Sequence, residues 1–260
     1  MTAIKILLIF SILVFNLMWQ SLIITGSGAR ARRSYASTIT EVSEAKLIQA
    51  LGVGDYTLAQ KILTAGLPLD LNAKNLAGDT ALSLAAKSNN SQSVALMQRL
   101  LAMGAAVDLS NSQKQTPLLL AIRSPRSNRS DKVRLLLAHG ANLYAKNINN
   151  QTALMLAAAI ADPHLMRLLL RAGVAVGVED AQDNRGYTAL MHAIDSSNFD
   201  FDAAIETAEL LIAAGVNVDL INNTDETALD LIQRYQEEDH TGAQDDIRYQ
   251  EMIYLLATAI

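Results

Sequence analysis

An all-α solenoid of about six helix–turn–helix repeats, preceded by an N-terminal hydrophobic helix, is the fold class this 260-residue sequence predicts. Three observations carry that expectation. A Thr-(Ala/Pro)-Leu element recurs at Thr80, Thr116, Thr152, Thr188 and Thr227, at spacings of 36, 36, 36 and 39 residues. The first four copies are each followed by a Leu-rich stretch ending in Gly: LLAMGA, LLAHGA, LLRAGV and LIAAGV, with an earlier ILTAGL at 62–67. Half the residues are apolar (50%) while aromatics are only 5%, so Leu and Ala must fill the core, which suits closely packed helices better than a β-sandwich.

In chain order, the reading is a signal peptide or membrane anchor (1–29), a basic/polar linker (30–40) and a repeat domain (41–260). The repeats run 41–72, 73–108, 109–144, 145–180, 181–219 and 220–260. Residues 4–24 read IKILLIFSILVFNLMWQSLII, with Lys5 the only charge, and about 20 such residues span a bilayer. Lys5, the apolar run and the small residues Ser27-Gly28-Ala29 or Ala29-Arg30-Ala31 also form the three parts of a secretory signal. The run exceeds an ordinary signal core, so a retained anchor stands beside the cleaved signal. If uncleaved, residues 4–24 make the membrane a partner. Export is the favoured expectation, placing the body in the periplasm or on the inner membrane. Arg30, Arg32 and Arg33 argue the other way by the positive-inside rule, which leaves a membrane-anchored protein with cytoplasmic repeats as the alternative.

Each repeat has its own local logic. Five residues before each Thr lies Asn75, Asn111, Asn147, Asp183 or Asn222, whose side chain bonds the backbone two residues on and starts a turn. Two residues before each Thr lies Gly78, Lys114, Asn150, Gly186 or Asp225. Positive φ is expected there, with strain at Lys114. The threonine caps a short first helix, whose stripe is Leu82, Leu84 and Ala85 in one copy and Leu154, Leu156 and Ala157 in another. Asp162-Pro163 opens a second helix as N-cap and first helical residue. Leu165, Met166, Leu168 and Leu169 give it a buried face, and Gly173 ends it. Extra residues at Ser88–Ser91, Ser124–Ser130 and Ser196–Asp202 are polar and belong between the helices. A last helix around Asp245–Ala259 turns Asp246, Arg248, Gln250 and Glu251 toward water as a cap.

These two elements and their period resemble the ankyrin repeat, over about residues 41–260. The resemblance implies a protein-binding scaffold, and it extends to small exported bacterial members of the family, some of which protect the cell from a secreted toxin or from oxidants. One departure stands out. The family's motif carries His three residues after the Thr, whereas this chain has Ser83, Leu119, Met155, Met191 and Asp230. The missing tie predicts weaker coupling between turns, with stiffness resting on Leu/Ala packing.

No catalytic constellation is legible, and the expectation is a non-enzyme without cofactor, metal or small-molecule substrate; an enzyme or ligand-binding protein with an unrecognised site is the further alternative. The absence of cysteine excludes a thiolate zinc site, an iron–sulfur cluster and a cysteine nucleophile. The four histidines have no HExxH or i, i+4 pairing. His192 replaces the leucines at 84, 120 and 156, which reads first as a satisfied core histidine. The acids at 237–239 and 245–246 lack the spacing of a calcium loop. Past the basic leader, 17 basic residues (21 less four) face 26 acids, a poor match to a phosphate backbone, so nucleic acid is not expected.

The resemblance assigns partner contacts to positions four, three and one before each Thr, and seven and eight after it. On the turns these are Leu76, Ala77 and Asp79; Ser112, Gln113 and Gln115; Ile148, Asn149 and Gln151; Asn184, Arg185 and Tyr187; and Asn223, Thr224 and Glu226. On the first helices they include Lys87, Arg123 and Ile160. Leu76, Ile148 and Tyr187 are the expected anchors, because turn chemistry does not demand them.

Overall fold

The structure is a computed structural model that describes residues 43–173, 180–195, 200–238 and 243–259, those at 243–246 by backbone alone. The leader, residues 1–29, and the linker to 40 lie outside the described residues. Among the described residues no helix is long and apolar enough to cross a membrane, and all regular structure is helical.

Among the described residues twelve α-helices pair in sequence order: α1 (43–53) with α2 (Tyr56–Thr64), α3 (Ala81–Lys87) with α4 (Ser93–Ala102), and α5 (Pro117–Ile122) with α6 (Arg129–Ala138). They continue with α7 (Ala153–Ala159) and α8 (Pro163–Arg171), α9 (Ala189–Asp195) and α10 (Phe201–Ala213), and α11 (Ala228–Glu238) and α12 (Ala243–Thr258). First helices α3, α5, α7, α9 and α11 stack in one row, and second helices pack beside them in another. One continuous core runs along both rows. The first row is built from small and aliphatic residues: Ala85, Ala121, Ala157 and Ala193 are fully buried. Without longer side chains there, neighbouring helices pack closely.

The helix boundaries follow the local chemistry. Thr80, Thr116 and Thr152 each accept a bond from the third backbone N–H of the helix they start. Thr188 and Thr227 do the same for Met191 and Asp230. Asp162 caps α8 with Pro163 at its first turn. After the second helices, Gly66, Gly104, Gly140, Gly173 and Gly215 all take positive φ. Met252 and Leu256 bury one face of α12, and Phe201 meets Tyr249 edge-on with centroids 4.9 Å apart. On the opposite face Ile247 and Tyr254 stand exposed beside Gln250 and Glu251.

The interhelix loops hold more than excess polar residues. Asn128 Nδ2 donates to Asn90 O and Ser93 Oγ, both at 3.0 Å, and Arg129 donates to Ser124 O at 2.8 Å and to Asp162 Oδ2 at 3.0 Å. The fully buried Lys132 ammonium reaches back to the carbonyls of Ala86 and Ser88, at the C-terminal end of α3. That is the favourable end of a helix for a cation. Burial nevertheless pushes Lys132 down to about 8.

Candidate functional site

Five turns precede α3, α5, α7, α9 and α11, and all have the same architecture. The first residue's amide bonds the carbonyl four residues on, and the fourth residue's amide returns to the first carbonyl, as in Asn75 N–H to Asp79 O and Gly78 N–H to Asn75 O. The starting side chain accepts twice: Asn147 Oδ1 takes the amides of Asn149 and Gln151, both at 2.9 Å. The fourth position has positive φ in every turn: Gly78 (79°), Lys114 (55°), Asn150 (60°), Gly186 (77°) and Asp225 (60°). A non-glycine residue in that region is strained by roughly 1–2 kcal/mol, less for Asn and Asp.

The turns form a ladder. Ser112 N–H donates to Ala77 O, Ile148 to Gln113, Asn184 to Asn149 and Asn223 to Arg185, each at 3.0 Å. This corrects the expectation that turn-to-turn stiffness rests on Leu/Ala packing. The ladder ties main chain to main chain, so it needs no histidine, and the loop network around Asn128, Arg129 and Lys132 adds polar ties on another edge. At the histidine position, Asp230 accepts from the Thr227 amide (2.9 Å) and hydroxyl (2.6 Å), and Ser83 donates to Thr80 O (2.9 Å). Both are bonds within their own turn.

The structure distributes the expected contact residues unevenly. Leu76 is fully exposed and Ile148 half exposed (50%), while Ala77, Ser112, Gln113, Asn149, Asn184, Arg185, Asn223 and Thr224 also face solvent. Gln115, Gln151 and Glu226 are half-buried, and each accepts from the Asn that starts its own turn. Asp79 is buried between Lys87 Nζ (2.7 Å) and Asn111 Nδ2 (2.9 Å). Its carboxylate binds two adjacent turns rather than presenting a surface. Ile160 is half-buried against the core.

The turn of the fifth repeat differs in kind. Tyr187 replaces the acceptor found at Gln115, Gln151 and Glu226, and Asp183 replaces the starting Asn. Asp183 Oδ1 still accepts the amides of Arg185 (2.8 Å) and Tyr187 (3.0 Å). Oδ2 lies 3.1 Å from Nε2 of the buried His192. Tyr187 is half-buried, with the Arg185 guanidinium 4.1 Å over its ring and the His192 ring 5.6 Å away. Next to this group, the Tyr235 hydroxyl donates to Asp195 Oδ1 at 2.8 Å, and burial together with that carboxylate raises its pKa. In the turn of the sixth repeat the Arg234 guanidinium, 2.7 Å from Glu226, holds that carboxyl down to about 2. The sequence flagged His192 as a core histidine; only the structure shows Asp183 as its partner, nine residues away and across a turn.

A family profile described as ankyrin repeats (3 copies) matches residues 47–147, 127–222 and 154–240. The crystal structure of an ankyrin repeat domain from Acinetobacter baumannii is 27% identical, with a TM-score of 0.66, over 83% of this chain and 98% of that one. A second ankyrin repeat protein of known crystal structure, 23% identical over 81% of this chain and 96% of its own, shares the fold with a TM-score of 0.65. No curated protein matches the sequence at a significant level.

Proposed function

Because the chain belongs to the ankyrin-repeat family, whose repeats are protein-interaction modules, we propose that it is a non-enzymatic scaffold engaging a protein partner through its turn tips and first helices. The observation that carries this reading is the pairing of rigid tips with exposed apolar side chains. Four main-chain bonds hold the tips in register while Leu76 and Ile148 stay in solvent. Interfaces centre on such anchors within a polar rim. Pre-ordered tips also lose little conformational entropy on binding.

The body works at or beyond the inner membrane; the apolar run at 4–24 supports this, and a C-terminal alkaline phosphatase fusion active where a fluorescent fusion is dark would test it. A protective, toxin-neutralising role is supported by the resemblance to small exported members of the family.

A photo-crosslinking residue at 76 or 148, introduced in the full chain in its own cells, is expected to capture one discrete partner. The same residue at Gln98 or Glu209, both exposed on second helices, is expected to capture none. Capture from the second helices alone, or from no position, overturns the reading.

A further inference from the structure

We propose that the front of the third and fourth repeats, centred on Arg123, captures an acidic protein segment, with a carboxylate on the Arg123 guanidinium and a neighbouring apolar residue settled over Ala159. This rests on the binding-module reading above and names the partner's chemistry.

A register rule within the chain exposes the site. In two repeats the residue seven after the Thr pairs with the residue one before it. In the second repeat this closes Lys87 on Asp79, and in the sixth Arg234 on Glu226, both at 2.7 Å. In the fifth, Asp195 stands within 3.8 Å of Arg185, beside Tyr187. In the third repeat the residues at these two positions are Arg123 and Gln115; Gln115 has no charge to offer, and its Oε1 already accepts from Asn111 Nδ2 (3.3 Å). Arg123 is the exposed C-cap of α5, and no carboxylate among the described residues pairs with it.

The fourth repeat has Ala159 at this position, a single methyl where the neighbouring repeats carry Arg123 and Asp195. Ala159 ends α7 with Ile160 as its C-cap, and Ile148 stands exposed on the turn of the same repeat. The charge is one-sided as well. Residues 109–124 and 145–160 contain Lys114, Arg123 and Lys146 and no Asp or Glu, in a chain of net charge −5. All three cations are exposed, and none makes an ion pair among the described residues. A guanidinium with an open fork suits a carboxylate in two-point contact. The acidic remainder of the chain disfavours a nucleic-acid backbone, which needs many cations at once.

The test uses the purified full chain and a fluorescein-labelled peptide of alternating Glu and Leu, with a Lys/Leu peptide and duplex DNA alongside. The acidic peptide is expected to bind, more weakly as salt rises. Arg123→Gln should weaken it by about five-fold or more, the loss of one charge-assisted two-point contact. Gln115→Glu should weaken it as much without lowering the melting temperature, because it installs the carboxylate that Glu226 supplies in the sixth repeat and occupies Arg123 from within. Arg171→Gln, on an exposed second-helix residue, should leave binding unchanged. Equal binding by Gln115→Glu and the parent, an equal response to the Lys/Leu peptide, or tighter binding of DNA each overturns the proposal. If position 148 crosslinks a cellular partner whose capture is indifferent to Arg123→Gln, the binding face stands and the acidic recognition falls.

Discussion

His192 Nε2 and Asp183 Oδ2 sit 3.1 Å apart with both side chains almost sealed from solvent (3% and 2% exposed). The bond completes a three-residue exchange relative to the fourth repeat, where Asn147, Gln151 and Leu156 occupy the same positions. There the Asn147 amide donates to Gln151 at 3.0 Å. Tyr187 brings a phenol in place of that amide carbonyl; here the turn starts with an acceptor-only Asp, and a histidine ring in the leucine's place hydrogen-bonds it.

Replacing His192 alone by Leu takes the hydrogen bond from a buried carboxylate oxygen and leaves it only the Arg185 guanidinium, 3.8 Å away. The expected loss is about 1–3 kcal/mol, read from urea unfolding. The triple change Asp183→Asn, Tyr187→Gln and His192→Leu rebuilds the fourth repeat's set and should recover most of it. A triple variant no more stable than the single one would show that the three positions do not act as a unit.

Burial lowers the His192 pKa, and the neighbouring Asp183 only partly offsets this. The native state therefore holds the ring neutral while the unfolded chain takes up a proton near pH 6.5. Stability from this group is present above about 6.5 and is lost as the pH falls below it. Unfolding of the parent followed from pH 7.5 to 5 should show this decline, and the triple variant should show less of it. Parallel curves would count against the assignment.

Lys132 gives a signal at the other end of the pH scale. Its folded value, about 8, lies below the ordinary 10.5, so between those limits the unfolded chain binds the extra proton. Stability should rise with pH across that window, by roughly 2–3 kcal/mol for a shift of this size. Lys132→Met should remove the rise when the two proteins are compared by thermal unfolding at pH 7.5 and 10.

Gly78 tests the ladder of turns. A Cβ built there comes within 2.8 Å of the Ser112 amide, the group that donates to Ala77 O, whereas one at Gly104 meets nothing within 4 Å. Both residues have positive φ, so both Ala variants bear the backbone strain of about 1 kcal/mol or more. Gly78→Ala should be the less stable of the two by a further amount on the order of 1–2 kcal/mol, and it should speed amide exchange at Ser112. Equal stability would mean that close approach between turns is not what requires glycine.

What the sequence determined by itself is whatever is written within one repeat. The positive-φ positions, the threonine caps, the Asn-started turns and the glycine stops depend on residues a few positions apart, and the five copies repeat the same message. Its reading of where contacts lie was coarser. It placed Asp79 among partner contacts because position alone cannot show that Lys87 and Asn111 converge on that carboxylate. Tertiary structure decided everything that passes between repeats. Main-chain bonds from turn to turn carry no side-chain signature, so the ladder was invisible in the letters. The reach of Lys132 back to Ala86, 46 residues away, likewise exists only once the stacked helices bring them together. The same holds for Arg123. As a letter it is one of many surface cations, and it becomes a candidate site only because the structure shows its counterparts Lys87 and Arg234 closing on a carboxylate while Arg123 pairs with none among the described residues.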